Sequence, residues 1–292
     1  MTRDGEDPFD RPFFAKVSML RARIGVALEA AGGRRRGPGI TPEGMEFHDH
    51  HRYAPGDDVR LLDWNVLARW GRPFVKRFRA EGRGVLEVLL DASASMACGT
   101  PPKDRLARRV AGALALAALA GEAVVRTIVA SDAVRERSLQ GRGGTGLLLD
   151  ALRAPCRGGS GSLREAVAAC GGGKRSAAVL VGDFLDGAPL LESIADMRGR
   201  GVSFVLLHVL APEEIEPAAV GRVRFRDAET GRVVEGWVDP RGAAASAARA
   251  RALVEDVRRF ASRHSIPHFF SRSDRPFEDA AIQAIEALEG GR

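Results

Sequence analysis

From Val85 onward the chain repeats a short apolar run, a loop and a longer helical stretch. Val85 to Leu90, Ala123 to Ala130, Ala177 to Val181 and Val202 to Val209 read as strands, mostly apolar along their whole length rather than on alternate residues. Helices are expected over about Asp104 to Gly121 and Pro189 to Arg198, with shorter ones after the glycine-rich loop at 141–146. Strands that alternate with helices need crossover connections, which make the strands parallel and cover both faces of the sheet. An α/β fold follows: a twisted, mostly parallel sheet of about six strands with helices on both faces. Leu89, Val125, Val179 and Leu206 are expected in its interior. Val134 to Leu139, behind the Ser131-Asp132 turn, is expected as an antiparallel edge strand. A hairpin inserted near 222–238 turns at Glu229-Thr230-Gly231. A helix over about 243–264, a short strand from His268 to Ser271 and a last helix over about 277–289 close the chain.

The front of the chain has a different texture. Phe13, Val17, Leu20, Ile24, Leu28 and Ala31 form a helical stripe that Gly32-Gly33 ends. Pro55-Gly56-Asp57 signals a turn, Asp63 can cap a short helix through Ala68, and Phe74 to Phe78 alternates like a strand. Two parts are therefore expected: 1–84, a helix plus a small α+β segment, and 85–292, the α/β domain. Charges of both signs between Asp57 and Arg69 read as local pairing, with Trp64 adding apolar area; a partner-binding surface is the alternative reading.

Composition excludes several classes. At 45% hydrophobic and 28% charged, the chain has material for a core and is neither disordered nor collagen-like. No apolar run approaches the roughly 18–20 residues that span a bilayer. The first residues, MTRDGEDPFDRPFF, hold no apolar segment of a secretory signal, so a cytoplasmic protein is expected. Cys98, Cys156 and Cys170 make no disulfide or zinc framework. The net charge of +6 is carried by arginine and concentrated toward the front, most sharply at Arg34-Arg35-Arg36. Without interleaved aromatic residues or a reading motif, that surplus does not specify nucleic acid.

The residues with most chemistry stand at strand ends. Asp91-Ala92-Ser93-Ala94-Ser95 closes the first strand of the sheet, and in open α/β sheets ligands bind outside the strand carboxyl ends. Oxygen-bearing side chains at alternate positions can converge on a small hard cation such as magnesium. Hydroxyl ligands are neutral, so such an ion keeps positive charge and attracts a carboxylate from outside. The same residues also suit a turn whose side chains cap backbone amides. Asp183 ends Val-Leu-Val-Gly-Asp, and Gly143-Gly144-Thr145 follows the hairpin strand; both are expected at the edge that carries Asp91. His48-Asp49-His50-His51 reads as a polar strand end rather than a metal site. Gly141-x-Gly143-x-x-Gly146 lacks the long helix and acidic strand end of a dinucleotide site, and Gly171-Gly172-Gly173-Lys174-Arg175 lacks a hydroxyl after its lysine and precedes its strand.

Asp91, Ser93, Ser95 and Asp183 resemble the metal-ion-dependent adhesion site of the von Willebrand factor type A domain, with Thr145 as the match to that family's threonine. Arg52-Tyr53-x-Pro55-Gly56-Asp57-Asp58-x-Arg60-x-x-Asp63-Trp64, then Ala68-Arg69 and Val75-Lys76, narrows the resemblance. It is similar to domain-of-unknown-function family fifty-eight, which joins this signature to a von Willebrand A-like domain. Asp227-x-Glu229-Thr230-Gly231 fits that family's later hairpin. The resemblance implies a Rossmann-like von Willebrand A fold and one divalent ion, Mg2+ or alternatively Mn2+ or Ca2+, at Asp91, Ser93, Ser95, Thr145 and Asp183. It further implies a non-enzymatic adaptor that binds an acidic side chain of a MoxR-type AAA+ ATPase or of that ATPase's client. Two other classes remain open: a haloacid-dehalogenase-like phosphotransferase with Asp91 as nucleophile, and arginine-mediated nucleic-acid binding. The first wants an acid two residues after the nucleophile, where this chain has Ser93.

Overall fold

The structure is a computed structural model that describes residues 7–20, 45–53, 57, 59–80, 85–120, 123–157, 162–171, 176–217 and 220–290. Ile24, Leu28 and Ala31 of the expected first stripe lie outside these residues, as do Gly32, Gly33, the cluster Arg34 to Arg36, and Pro55, Gly56 and Asp58 of the signature. The chain forms two compact units, Met1–Ala31 with Gly84–Arg292, and Gly32–Arg83. The front 84 residues are therefore not one body: the first helix belongs with the larger unit.

That helix, α1 (residues 11–20), buries Phe13, Val17 and Leu20. Phe13 packs its ring 5.1 Å from Phe9 and 5.3 Å from Phe277. Gly112 makes the approach possible, because a Cβ there would lie 2.6 Å from the Phe9 ring. The smaller unit is an antiparallel pair, β1 (Met45–Arg52) and β2 (Phe74–Ala80), joined through α2 (Trp64–Trp70). Asp63 caps α2 by accepting from the amides of Asn65 and Val66, and Gly71, at φ 65°, ends it. The second Asp63 oxygen pairs with His50 Nε2 at 2.9 Å. The expected apolar contribution of Trp64 is not there. Its indole is 68% exposed, because α2 buries none of its residues.

The larger unit continues with β3 (Val85–Asp91), α3 (Lys103–Ala120), β4 (Val124–Ala130), β5 (Val134–Gln140), α4 (Thr145–Leu152), α5 (Leu163–Ala168) and β6 (Ser176–Gly182). Then come α6 (Ala188–Gly199), β7 (Ser203–Leu210), α7 (Pro212–Ile215), β8 (Gly221–Arg226), β9 (Val233–Val238), α8 (Pro240–Arg263), β10 (His268–Arg272) and α9 (Phe277–Gly290). One sheet runs β10-β7-β6-β3-β4-β5; every neighbouring pair is parallel except β4 with β5. Leu89, Val125, Val179 and Leu206 are all fully buried.

Strand residues alternate between two cores. Leu86, Val88 and Leu90 face α1, α3, α4 and α9, while Leu89, Leu180 and Leu206 face α5, α6 and α8. Burial on both faces accounts for strands with no polar alternation. The hairpin β8–β9 is a separate two-stranded ribbon. Among the described residues, no helix is long and apolar enough to cross a membrane.

Candidate functional site

Parallel pairing of β3 with β6 sets Leu90 beside Val181, so the residues that leave the two strands emerge together at the carboxyl edge. Asp91 ends β3 and Asp183 follows β6. Gly182 lets them approach: a Cβ on it would lie 2.8 Å from Asp91 Cβ and 2.9 Å from its Oδ2. The backbone turns sharply after Asp183. Leu185 N donates to Asp183 Oδ1 at 3.2 Å, and Phe184 between them holds φ 58°, a left-handed conformation that strains a residue of this size.

The two serines complete the cluster. Ser93 N donates to Asp91 Oδ1 at 3.0 Å, the hydroxyls of Ser93 and Ser95 are 3.0 Å apart, and Ser95 Oγ donates to Asp183 Oδ2 at 2.8 Å. Asp91 and Asp183 are buried and the serines half-buried. The structure thus brings Asp91, Ser93, Ser95 and Asp183 together.

It does not bring Thr145 to them. β5 is antiparallel to β4, and its last residue, Gln140, stands beside Val124, which stands beside Val85 at the start of β3. Thr145 opens α4 just beyond, at the amino edge of the parallel strands, a strand length or roughly 20 Å from Asp91. The chain regains the carboxyl edge only after α4, where Ser131 Oγ donates to Pro155 O at 2.9 Å and Arg157 N to Ala92 O at 3.1 Å. The loop after α4, not the one before it, approaches the cluster.

Three charged residues join that the sequence reading did not place at this edge. Lys103, fully buried at the start of α3, donates from Nζ to Asp183 Oδ2 at 2.8 Å and to Glu214 Oε1 at 2.8 Å. Glu214 in turn accepts from Ala211 N at 2.7 Å. Burial works against the Lys103 charge, but the two carboxylates outweigh it and hold the ammonium above its ordinary pKa. Glu229, from the turn between β8 and β9, accepts from Ser95 N at 2.9 Å. For Lys103 there was a signal, since it is one of only four lysines in an arginine-rich chain and stands directly after Pro101-Pro102. Glu229 was read only as part of the hairpin turn, and for Glu214 there was no signal.

The electrostatics of the two aspartates differ. Asp183 has the Lys103 ammonium on one oxygen. Among the described residues, no cation pairs with Asp91. Burial first, and the neighbouring Asp183 second, push its carboxyl up to about 7 against the pull of hydrogen bonds from Ser93. A buried carboxylate short of positive charge, beside two hydroxyls, is an all-oxygen donor set that fits a hard divalent cation. Among the described residues, no group of three or more His, Cys, Asp or Glu is placed to hold a metal, so a cation here would depend on the serine hydroxyls.

Fold and edge cluster together define an α/β domain, a mostly parallel six-stranded sheet flanked by helices with an Asp-x-Ser-x-Ser loop at its carboxyl edge. The chain belongs to the family described as "Protein of unknown function DUF58", which it matches over residues 49–253. It is 30% identical over 279 residues to the "Uncharacterized protein Rv1480" of Mycobacterium tuberculosis and to the "Uncharacterized protein Mb1516" of Mycobacterium bovis, covering 87% of this chain and 83% of each relative. Among solved structures, the conserved hypothetical protein BatB from Bacteroides thetaiotaomicron covers 72% of this chain and 100% of its own at 16% identity and a TM-score of 0.45. Proximal thread matrix protein 1 from the mussel byssus, described with a zinc-occupied MIDAS motif, covers 71% of this chain and 48% of its own at 12% identity and a TM-score of 0.42.

Proposed function

We propose that this chain is a non-enzymatic, metal-dependent protein-binding adaptor that works with a MoxR-type AAA+ ATPase in assembling or activating other proteins. The observation that carries the reading is the convergence of Asp91, Ser93, Ser95 and Asp183 at the carboxyl edge, with no cation paired to Asp91 among the described residues. The serine hydroxyls would ligate one magnesium, manganese or calcium ion, and Asp91 would ligate it or hold its waters. Asp183 keeps Ser95 Oγ in place and is itself partly neutralised by Lys103. Thr145 has no part in this reading. The bound ion supplies a positive charge that neutral hydroxyls leave largely uncompensated, which suits it to accept a carboxylate from a partner. The family resemblance is what points to the ATPase as that partner.

Titration calorimetry with magnesium or manganese tests the site. The expected outcome is one site in the wild-type chain, lost in Asp91→Ala while circular dichroism shows the fold retained. Undiminished binding in Asp91→Ala removes the assignment. Co-purification with the ATPase should weaken in chelator and in Asp91→Ala; a complex indifferent to both would move partner binding away from this edge.

A further inference from the structure

The β8–β9 hairpin is tied to the cluster by one side chain at its tip. The tip is held in shape by Asp227, whose Oδ1 accepts from Thr230 N at 2.7 Å and from Thr230 Oγ1 at 2.8 Å. Gly231, at φ 69°, closes the turn. Glu229 projects from this tip, and its carboxylate takes the amide of Ser95, one of the two serines whose hydroxyls would hold the ion. An acidic side chain of the chain itself therefore already stands where an acidic side chain from a partner would arrive.

The ribbon behind the tip is exposed. Trp237 is 76% and Val233 43% exposed on one face, and Phe225 55% and Val234 52% on the other, so neither face is covered. Arg222, Arg224 and Arg226 alternate along β8, so they share one face, and Trp237 pairs with Arg222 across the ribbon on that face. Glu235 takes one of the arginines, Arg222, at 2.7 Å. Three arginines and a single acid beside an exposed indole complement an acidic segment that carries some apolar side chains.

We infer that Glu229 is a displaceable internal carboxylate: the hairpin holds the site closed, and an acidic segment of the partner replaces Glu229 while docking along the Arg222–Arg226 face beside Trp237. This rests on the proposed function and adds to it the route of entry and the chemistry of the entering segment. One exposed, charge-assisted hydrogen bond favours the closed hairpin by about tenfold. That is enough to turn away weak ligands and little enough for a multidentate acidic segment to overcome.

A fluorescein-labelled oligoglutamate peptide, titrated in magnesium against the full chain, is the test. Glu229→Ala should bind it about tenfold more tightly than wild type, Glu229→Gln should fall between, and the Ser95 amide should exchange faster with deuterium in both. The triple variant Arg222→Ala, Arg224→Ala, Arg226→Ala should bind it at least tenfold more weakly and with a shallower salt dependence. Unchanged or weaker binding by Glu229→Ala, in a wild-type chain that takes up magnesium, overturns the inference and leaves the metal reading standing. If the wild-type chain takes up no metal, the metal reading falls, and the same comparison in chelator judges the hairpin alone. Tighter binding with faster Ser95 exchange then keeps it, and unchanged values overturn it.

Discussion

The six-stranded sheet and the β8–β9 ribbon are built from the same kind of backbone ladder, yet they are held by different forces. In β3 every residue after Val85 is buried, and β6 and β7 are buried nearly throughout. In the ribbon no residue of either strand is fully buried. The sheet stands on apolar burial on both faces, which makes its carboxyl edge a rigid platform. The ribbon stands on its turn and its cross-strand pairs, and a two-stranded hairpin alone is only marginally stable in water. The candidate site lies where the two meet: four oxygen-bearing side chains from the sheet's edge, and one carboxylate delivered by the exposed ribbon.

The largest expected effect lies in the platform. Lys103→Met keeps the volume of the side chain and removes the cation from Asp183 and Glu214. Glu214 is partly exposed and can rehydrate; Asp183 is buried and cannot. Removing one partner of a buried pair costs about 3–5 kcal/mol, and urea unfolding near pH 7 should show a loss of that size. A change under about 1 kcal/mol would mean that water reaches Asp183 and that the edge is softer than the sheet beneath it. Leu206→Ala comes next. It empties a fully buried position between β6 and β10, with an expected loss of about 2–5 kcal/mol in the same measurement.

How much of this was legible in the sequence follows the same division. The sheet was readable because continuous apolar runs such as Val85 to Leu90 have few other uses, and the strand-end positions of Asp91 and Asp183 came with it. The role of Gly182, the small residue that lets β3 and β6 carry their aspartates side by side, emerges only from the structure. Thr145 was misplaced although the sequence held the correction. If Val134 to Leu139 returns antiparallel from a turn at the carboxyl edge, the residues after it must lie at the amino edge. The hairpin and the shared edge could not both hold. The expected stripe of α1 was real where it is described, but its partners Phe277 and Gly112 lie far along the chain, so the front segment looked separate.

The contacts that complete the site have no local signature at all. Lys103 meets Asp183 across 80 positions and Glu229 meets Ser95 across 134. Periodicity and turn chemistry act over a few residues, so they locate the hairpin without revealing what its tip touches. His208 shows the same limit. A lone histidine in an apolar strand gives no hint that burial, then His268, push its imidazole down to about 3.

The smallest expected effect belongs to the ribbon and decides whether the comparison holds. Phe225 pairs with Val234 and lies over Gly236, yet its ring is more than half exposed. Phe225→Ser therefore removes little buried area. Substitutions at exposed sites without a cap, a special backbone conformation or a buried contact change stability by no more than about 0.5 kcal/mol. Urea unfolding of Phe225→Ser should accordingly overlay that of the wild-type chain, well apart from Leu206→Ala. Affinity for an acidic partner should be unchanged as well, because Phe225 lies on the face opposite Arg222, Arg224, Arg226 and Trp237. A loss approaching that of Leu206→Ala would show that the ribbon is packed into the domain as firmly as the sheet. Glu229 would then be a fixed part of the edge, with no opening motion left for it to control.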